Sequence, residues 1–410
     1  RVKSKAKLGF AKSLSYNVLA IVIMNVVIQF AVYPYLNKVL GETAFGSVLY
    51  LMSIVAILAG AFGVAVSNTR LVIKTKMESK NGDYNTILLI MSIISIVVVL
   101  CVLYTQNMLN FFSGFMLSSL VIMTLLRYYS DVEYRLSLRY KWYFFFYMLI
   151  SAGYLIGVAV YRFTQNWYLV FLVGEALAVL FVIIKGEIYK KPFECSANRK
   201  IVWRMIMTVA ISYLISDTFQ NLDRIVLQNF LGGDAVTTFY TASLLGKTIA
   251  LLVGPLNGVM IAYLVNYKGE FNAKIFSKAV LFAVGLAVVG FVGCILVSPW
   301  LIQLLYPNVY AAASGLIGIA SLGMVVFFSS ALLLAIVLRF CHEKYQFLIQ
   351  LIYGGCYLIA AIPATINYGI YGFAYATLFA SLLRFVIVVF VGYKNANKHK
   401  HLGEVGGEVK

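Results

Sequence analysis

The sequence predicts an all-α polytopic membrane protein, with twelve transmembrane helices in two six-helix bundles related by pseudo-two-fold symmetry along the membrane normal. Three observations predict it. Of 410 residues, 62% are hydrophobic and only 12% charged, whereas soluble globular chains are about 45–50% apolar and about 25% charged. Twelve apolar runs are each long enough to cross a bilayer as a helix, which takes about 20 residues. The loops between them alternate, basic on one side and nearly uncharged on the other.

The runs fall near 14–37, 44–66, 85–105, 111–130, 142–161, 167–184, 203–230, 235–265, 279–298, 313–338, 346–366 and 370–392. Before the first lies a basic flank, RVKSKAKLGFAK, without a cleavable-signal pattern. Span one carries Asn25 and Gln29 on one face and Pro34 near its outer end; span two carries Gly63. Span five opens on Tyr140 to Phe146, an aromatic run typical of a membrane interface, and contains Gly153-x-x-x-Gly157, a close-packing pattern. Span six holds Glu175.

Span seven carries the most information. Asp217, Asp223 and Arg224 interrupt an otherwise apolar stretch. At 100° per residue, Tyr213, Asp217, Gln220, Asn221, Arg224 and Gln228 share one face of a straight helix. Because a charge facing lipid is costly, this face is expected to line a water-filled path, or else to pair Asp217 with Arg224 in a packed bundle. Span eight starts near Ala235, so Lys247 lies about 16 Å along it at 1.5 Å per residue, close to the midplane. Gly254 and Pro255 interrupt the same span and are expected to act as a hinge. In span twelve Thr377, Ser381 and Arg384 form a further polar stripe.

Loops on one side carry Arg70, Lys74, Lys76 and Lys80, then Arg135, Arg139 and Lys141, then Lys190, Lys191, Arg199 and Lys200, and the tail is basic as well. Loops on the other side, such as 106–110, 298–310 and 367–369, carry no charge. This bias places both termini in the cytoplasm. The net charge of +18 therefore follows the membrane and implies no nucleic-acid partner. The expected organisation is an N-terminal half at 1–190, a cytoplasmic linker at 191–202 that reads as a hinge, a C-terminal half at 203–393 and a basic tail at 394–410.

The halves resemble each other. Leu40-Gly41-Glu42-Thr43-Ala44 joins spans one and two, and 191 residues later Leu231-Gly232-Gly233-Asp234-Ala235 joins spans seven and eight. Six spans is an even number, so both copies enter the membrane in the same sense, which is the parallel-repeat plan of transporters with a central site.

Several chemistries are not encoded. Gly246-Lys247-Thr248 lacks the upstream glycine of a phosphate loop, the residue there being Thr241. The histidines His342, His399 and His401 lie near helix ends or in the tail, so neither a metal site nor a cofactor is expected. The five cysteines form no pair on an outer loop, and no disulfide is expected. With Asp217 set against Arg224, Lys247 and Arg384, the interior leans cationic and suits an anionic cargo such as a phosphate or uronic acid.

The run Asn221-Leu222-Asp223-Arg224 to Leu231-Gly232, with Ala235 and Phe239-Tyr240-Thr241-Ala242, resembles the seventh-to-eighth-helix signature of the polysaccharide transporters. These are the Wzx-type flippases of the multidrug/oligosaccharidyl-lipid/polysaccharide (MOP) exporter superfamily. Tyr35 to Gly41, Phe45-Gly46 and Ser67 to Arg70 are similar to the family's amino-terminal signature. The chain departs from the pattern at Thr237 and at Phe239-Tyr240. The resemblance implies a non-enzymatic flippase in the bacterial cytoplasmic membrane, serving capsule, exopolysaccharide or O-antigen synthesis. It would move undecaprenyl-diphosphate-linked oligosaccharide by alternating access, driven by H+ or Na+, with polysaccharide polymerase machinery as a candidate partner. Arg224, Lys247 and Arg384 would then hold anionic groups, and Asn25, Gln29, Gln220, Asn221 and Gln228 sugar hydroxyls. Asp217 and Asp223 would serve ion coupling or charge balance. The rival readings are a multidrug/cation antiporter, which calls for a carboxylate-rich cavity, and a membrane glycosyltransferase or polymerase, which calls for large charged outer loops.

Overall fold

A computed structural model describes residues 18–74, 76–250, 272–340 and 344–405. Gly254 and Pro255 lie outside the described residues, as do Gly258, Cys341, His342 and the whole basic N-terminal flank.

The described residues are helical, with no strand among them. The helices are α1 Val18–Leu40, α2 Glu42–Ile73, α3 Asn81–Thr105, α4 Phe111–Leu136, α5 Tyr140–Thr164 and α6 Trp167–Lys185. There follow α7 Arg199–Gln220, α8 Leu222–Phe230, α9 Gly233–Ala242, α10 Leu244–Ala250, α11 Ala273–Leu305 and α12 Ile317–Phe340. Lys344–Val405 is two helices meeting at Gly369, where φ is 60°; these are α13 (344–368) and α14 (370–405). Ten helical stretches among the described residues are long and apolar enough to span a membrane. Most side chains on their outer faces are large and apolar, as lipid requires.

Two of these helices carry π turns. In α1 the turn is Ile28–Val32, one residue short of Pro34. Proline has no N–H and its ring crowds the carbonyl four residues back, and the wider turn absorbs both effects. In α2 the π turn is Gly60–Val64.

Packing divides the chain into two compact units. The first comprises residues up to Val39 and Tyr50–Leu222. Within it α5 lies on α6, where a Cβ on Gly153 would meet Gly174 and one on Gly157 the backbone of Val170. Those glycines serve close helix approach. Helix α7 packs on the π turn and second half of α2. The sequence-expected halves and the packing units are thus different partitions, since α7 lies in the first unit although it follows the linker.

The linker lies within the first unit, where it and the residues flanking it bond to the amino end of α3 and the residues just before it. Asn81 donates to the carbonyls of Glu187 and Lys190, Ser196 N donates to Asp83, and Trp203 Nε1 donates to the Asp83 carbonyl at 2.8 Å. Lys80 Nζ donates to Glu194 Oε1 at 2.8 Å. That bond lifts the Lys80 ammonium above its ordinary range and, with Lys191, holds the Glu194 carboxyl below its own.

The second unit comprises Leu40–Leu49, the turn between α1 and α2 with the start of α2, together with Asp223 onwards. Its core is built from Phe276, Leu333, Val337, Ile349 and Val388 on α11 to α14. The two hairpins read as a repeat meet here. Gly41 (φ 81°) and Gly232 (φ 88°) occupy equivalent turns in the left-handed region, which glycine adopts without strain. Thr43 Oγ1 donates to Asp234 Oδ1 at 2.5 Å, a bond between repeat-equivalent residues 191 apart. Gly46 rests on the Gly233 carbonyl, and the repeat-related pair is the Thr237 hydroxyl on the Glu42 carbonyl, at 2.7 Å. Contacts that exchange under a two-fold operation are what an isologous junction requires.

Candidate functional site

The straight helix expected at 203–230 is broken. Asn221 sits between α7 and α8 with φ −107° and ψ 12°, and its side-chain amide donates to the Asp217 carbonyl at 2.9 Å. Side chain and backbone compete there for one acceptor, which interrupts the helical ladder. The predicted polar face is therefore divided. Tyr213, Asp217, Gln220 and Asn221 belong to the first unit, and Arg224 and Gln228 to the second. Span eight breaks likewise at Ser243, whose hydroxyl bonds the carbonyls of Phe239 and Tyr240.

Asp223 and Lys247 follow these two breaks, and their side chains form a salt bridge with the carboxylate 6% and the ammonium 20% exposed. The ring of Tyr240 on α9 faces both cations, with Arg224 Cζ at 5.5 Å and Lys247 Nζ at 5.8 Å from its centroid. Arg224 also lies within electrostatic reach of Asp223. This brings two predicted cations, one predicted carboxylate and an aromatic ring into one cluster. The cation–π geometry offsets part of the cost of placing the charges in an apolar unit.

Arg384 on α14 is 3% exposed. Its guanidinium lies 4.1 Å from the Phe327 centroid and 5.4 Å from that of Tyr353, and its Nε and Nη1 find no hydrogen-bond partner among the described residues. It is held by aromatic faces and does not reach the helix end. Thr377, in the same stripe, hydrogen-bonds Tyr357 at 2.9 Å.

In the first unit Asp217 packs on the π turn of α2, where a Cβ at Gly60 would lie 2.7 Å from Asp217 Oδ2. A glycine and a π turn beside a carboxylate are the local means by which α2 makes room for it. One turn away, the Tyr213 hydroxyl accepts from Asn68 Nδ2 at 2.8 Å, and Asn68 Oδ1 accepts from Arg135 at 3.0 Å. Gln29 lies in the π turn of α1, and Asn25 Nδ2 donates to the Ile21 carbonyl at 2.8 Å. Gln220 Nε2 donates to Ser216 at 3.3 Å, and Gln228 Nε2 donates to Ser47 at 3.5 Å within the second unit.

One buried pair escaped the sequence reading. Arg127 on α4 and Glu175 on α6, 4% and 3% exposed, bond through Nε at 2.8 Å, and the Tyr154 hydroxyl donates to the same carboxylate at 2.6 Å. Glu175 in mid-span was the signal, because a carboxylate there needs a partner. Arg127 was hidden by lying within one turn of the expected end of span four. Separately, a groove of about 610 Å³, lined by Ala360, Ala364, Tyr371, Gly372 and neighbours, is apolar and contains none of the predicted site residues.

No family model and no curated protein sequence matches the chain. Solved structures do. An inward-facing multidrug resistance MATE family transporter of the MOP superfamily aligns at a TM-score of 0.72 with 11% identity, over 94% of this chain and 96% of that one. The lipid II flippase MurJ, in an inward closed conformation, aligns at 0.64 with 15% identity, over 98% and 93%. The Vibrio cholerae MATE transporter VcmN, in the bent form, aligns at 0.58 with 13% identity, over 97% and 99%. The chain thus has the MATE/MurJ type of all-helical membrane fold.

Proposed function

We propose that the chain is a flippase that turns undecaprenyl-diphosphate-linked oligosaccharide from the cytoplasmic to the outer leaflet of the bacterial cytoplasmic membrane by alternating access. The observation that carries the reading is the Arg224, Lys247 and Tyr240 cluster at the base of the α8–α9 hairpin, two cations kept near mid-span in a fold like that of MOP transporters. Cations at that depth are costly unless they serve an anion that must pass. In this reading the diphosphate meets Arg224 and Lys247, with Arg384 behind them, while Asn25, Gln29, Gln220, Asn221 and Gln228 bond the glycan. Asp217 and Asp223 serve ion coupling, by H+ or Na+, or charge balance. The halves 1–190 and 203–393 rock about the site, with both termini cytoplasmic and the lipid tail left in the bilayer.

A MATE-like multidrug/cation antiporter is the second reading. Asp217 favours it, as a mid-span carboxylate with no hydrogen bond or ion pair to its oxygens among the described residues. The lipid-linked intermediates of cells with and without the gene separate the two. Intact repeat units trapped on the cytoplasmic leaflet support flipping; an unchanged leaflet distribution with altered drug resistance supports the antiporter.

A further inference from the structure

Lys247 is the cation best placed for cargo, yet it is already engaged. Its ammonium is bonded to Asp223, the carboxylate that opens α8 just past the break at Asn221. The bond ties the two ends of the hairpin formed by α8 and α9, and both ends adjoin breaks at Asn221 and Ser243. Among the described residues, the other charged or titratable groups around the Asp223–Lys247 pair are Arg224 on the same helix as Asp223, Tyr240 on α9 and, within electrostatic reach on α13, Tyr353 and Tyr357. Arg384 adds positive charge beside Tyr353. Among the described residues Asp223 is the one carboxylate paired with Lys247, so an anion arriving at Lys247 competes with Asp223 for the ammonium.

We infer that Asp223 is a built-in competitor for the cargo's anionic group: a phosphate binds by displacing the Asp223 carboxylate from Lys247, and the freed carboxylate then takes up a proton or monovalent cation. This rests on the anionic-cargo reading above and adds how that site is regulated. A carboxylate left in this environment without a counter-charge is expensive, so displacement and cation uptake are linked. Linkage is reciprocal: whatever neutralises Asp223 strengthens anion binding, and anion binding draws in the neutralising ion by the same factor. The coupling ion and cargo thereby meet at one pair of side chains.

The test is equilibrium binding of farnesyl diphosphate, a short prenyl diphosphate probe, to the purified full chain in detergent. Asp223→Asn and Asp223→Ser, two neutral variants of different shape, are expected to bind about tenfold or more tightly than the wild type, since close charge pairs couple by more than that factor. Asp223→Glu is expected to behave as wild type, and Lys247→Met to bind more weakly whether or not Asp223 is present. In the unmodified chain, affinity should rise with Na+ at constant ionic strength or with falling pH, although added protons weaken the probe's own charge. Weaker or unchanged binding by the neutral Asp223 variants, with Lys247→Met still impaired, overturns the competitor role and leaves the anion site standing. An affinity flat in both Na+ and pH also overturns it. Absence of probe binding by the wild type overturns the anionic-cargo reading, and the competitor with it.

Discussion

Gly46→Ala should weaken the junction between the two repeat hairpins by a calculable amount. A methyl group at Gly46 would overlap the carbonyl of Gly233, and one at Gly233 would overlap the carbonyl of Thr43, so backbone must yield at either site. Overpacking of this kind costs about 1–3 kcal/mol. If alternating access requires the hairpins to part, that cost falls only on the joined state and shifts the equilibrium toward the parted state by roughly five- to 150-fold. The readout is cross-linking of Thr43→Cys to Asp234→Cys by a short bifunctional thiol reagent, in a background with the five native cysteines replaced. The wild-type side chains hydrogen-bond at 2.5 Å, so the cysteine pair should cross-link rapidly, and adding Gly46→Ala should slow it by a factor in that range. Unchanged cross-linking in a correctly inserted protein would refute the claim that these glycines set the junction.

Other outcomes follow from the same geometry. Glu175→Leu alone should destabilise the protein by about 3–5 kcal/mol by stranding Arg127, whereas Arg127→Met with Glu175→Leu should regain most of the loss, as read by thermal unfolding in detergent. Arg384→Met removes a buried guanidinium with two unbonded nitrogens, so it should raise thermal stability by about 1–3 kcal/mol while lowering transport; lower stability with transport intact would contradict this role. Gly60→Val should press on Asp217 and reduce the ion dependence of transport without blocking insertion, which transport measured with and without an imposed ion gradient would detect. Glu194→Ala should leave the thermal unfolding midpoint in detergent close to that of the wild type, since its bond to Lys80 is exposed and screened by solvent.

The fold was legible because lipid imposes a simple rule. Every spanning segment must be apolar and satisfy its own backbone, so apolar runs mark helices directly. The repeat was legible as well: Gly41 and Gly232 mark the same left-handed turn, and Thr43 and Asp234 prove to be bonded to each other. The breaks at Asn221 and Ser243 were not legible, because each depends on a side chain winning a backbone carbonyl from the helix, which periodicity does not register. Partners across helices were also out of reach. Asp223 on α8 pairs with Lys247 on α10, and Arg384 meets Phe327 and Tyr353, through packing that no spacing within one helix encodes. The linker at 191–202 reads as a hinge in the sequence, yet Ser196 bonds Asp83 at the amino end of α3 and Asn198 bonds the carbonyl of Glu78 just before it.

Transbilayer movement itself tests the central claim most directly. The purified chain, reconstituted into liposomes with a fluorescent undecaprenyl-diphosphate oligosaccharide, should transfer the labelled head group between leaflets, and Arg224→Ala with Lys247→Ala should abolish that transfer while reconstituting normally. No transfer by the wild type, or full transfer by the doubly substituted chain, would contradict the account.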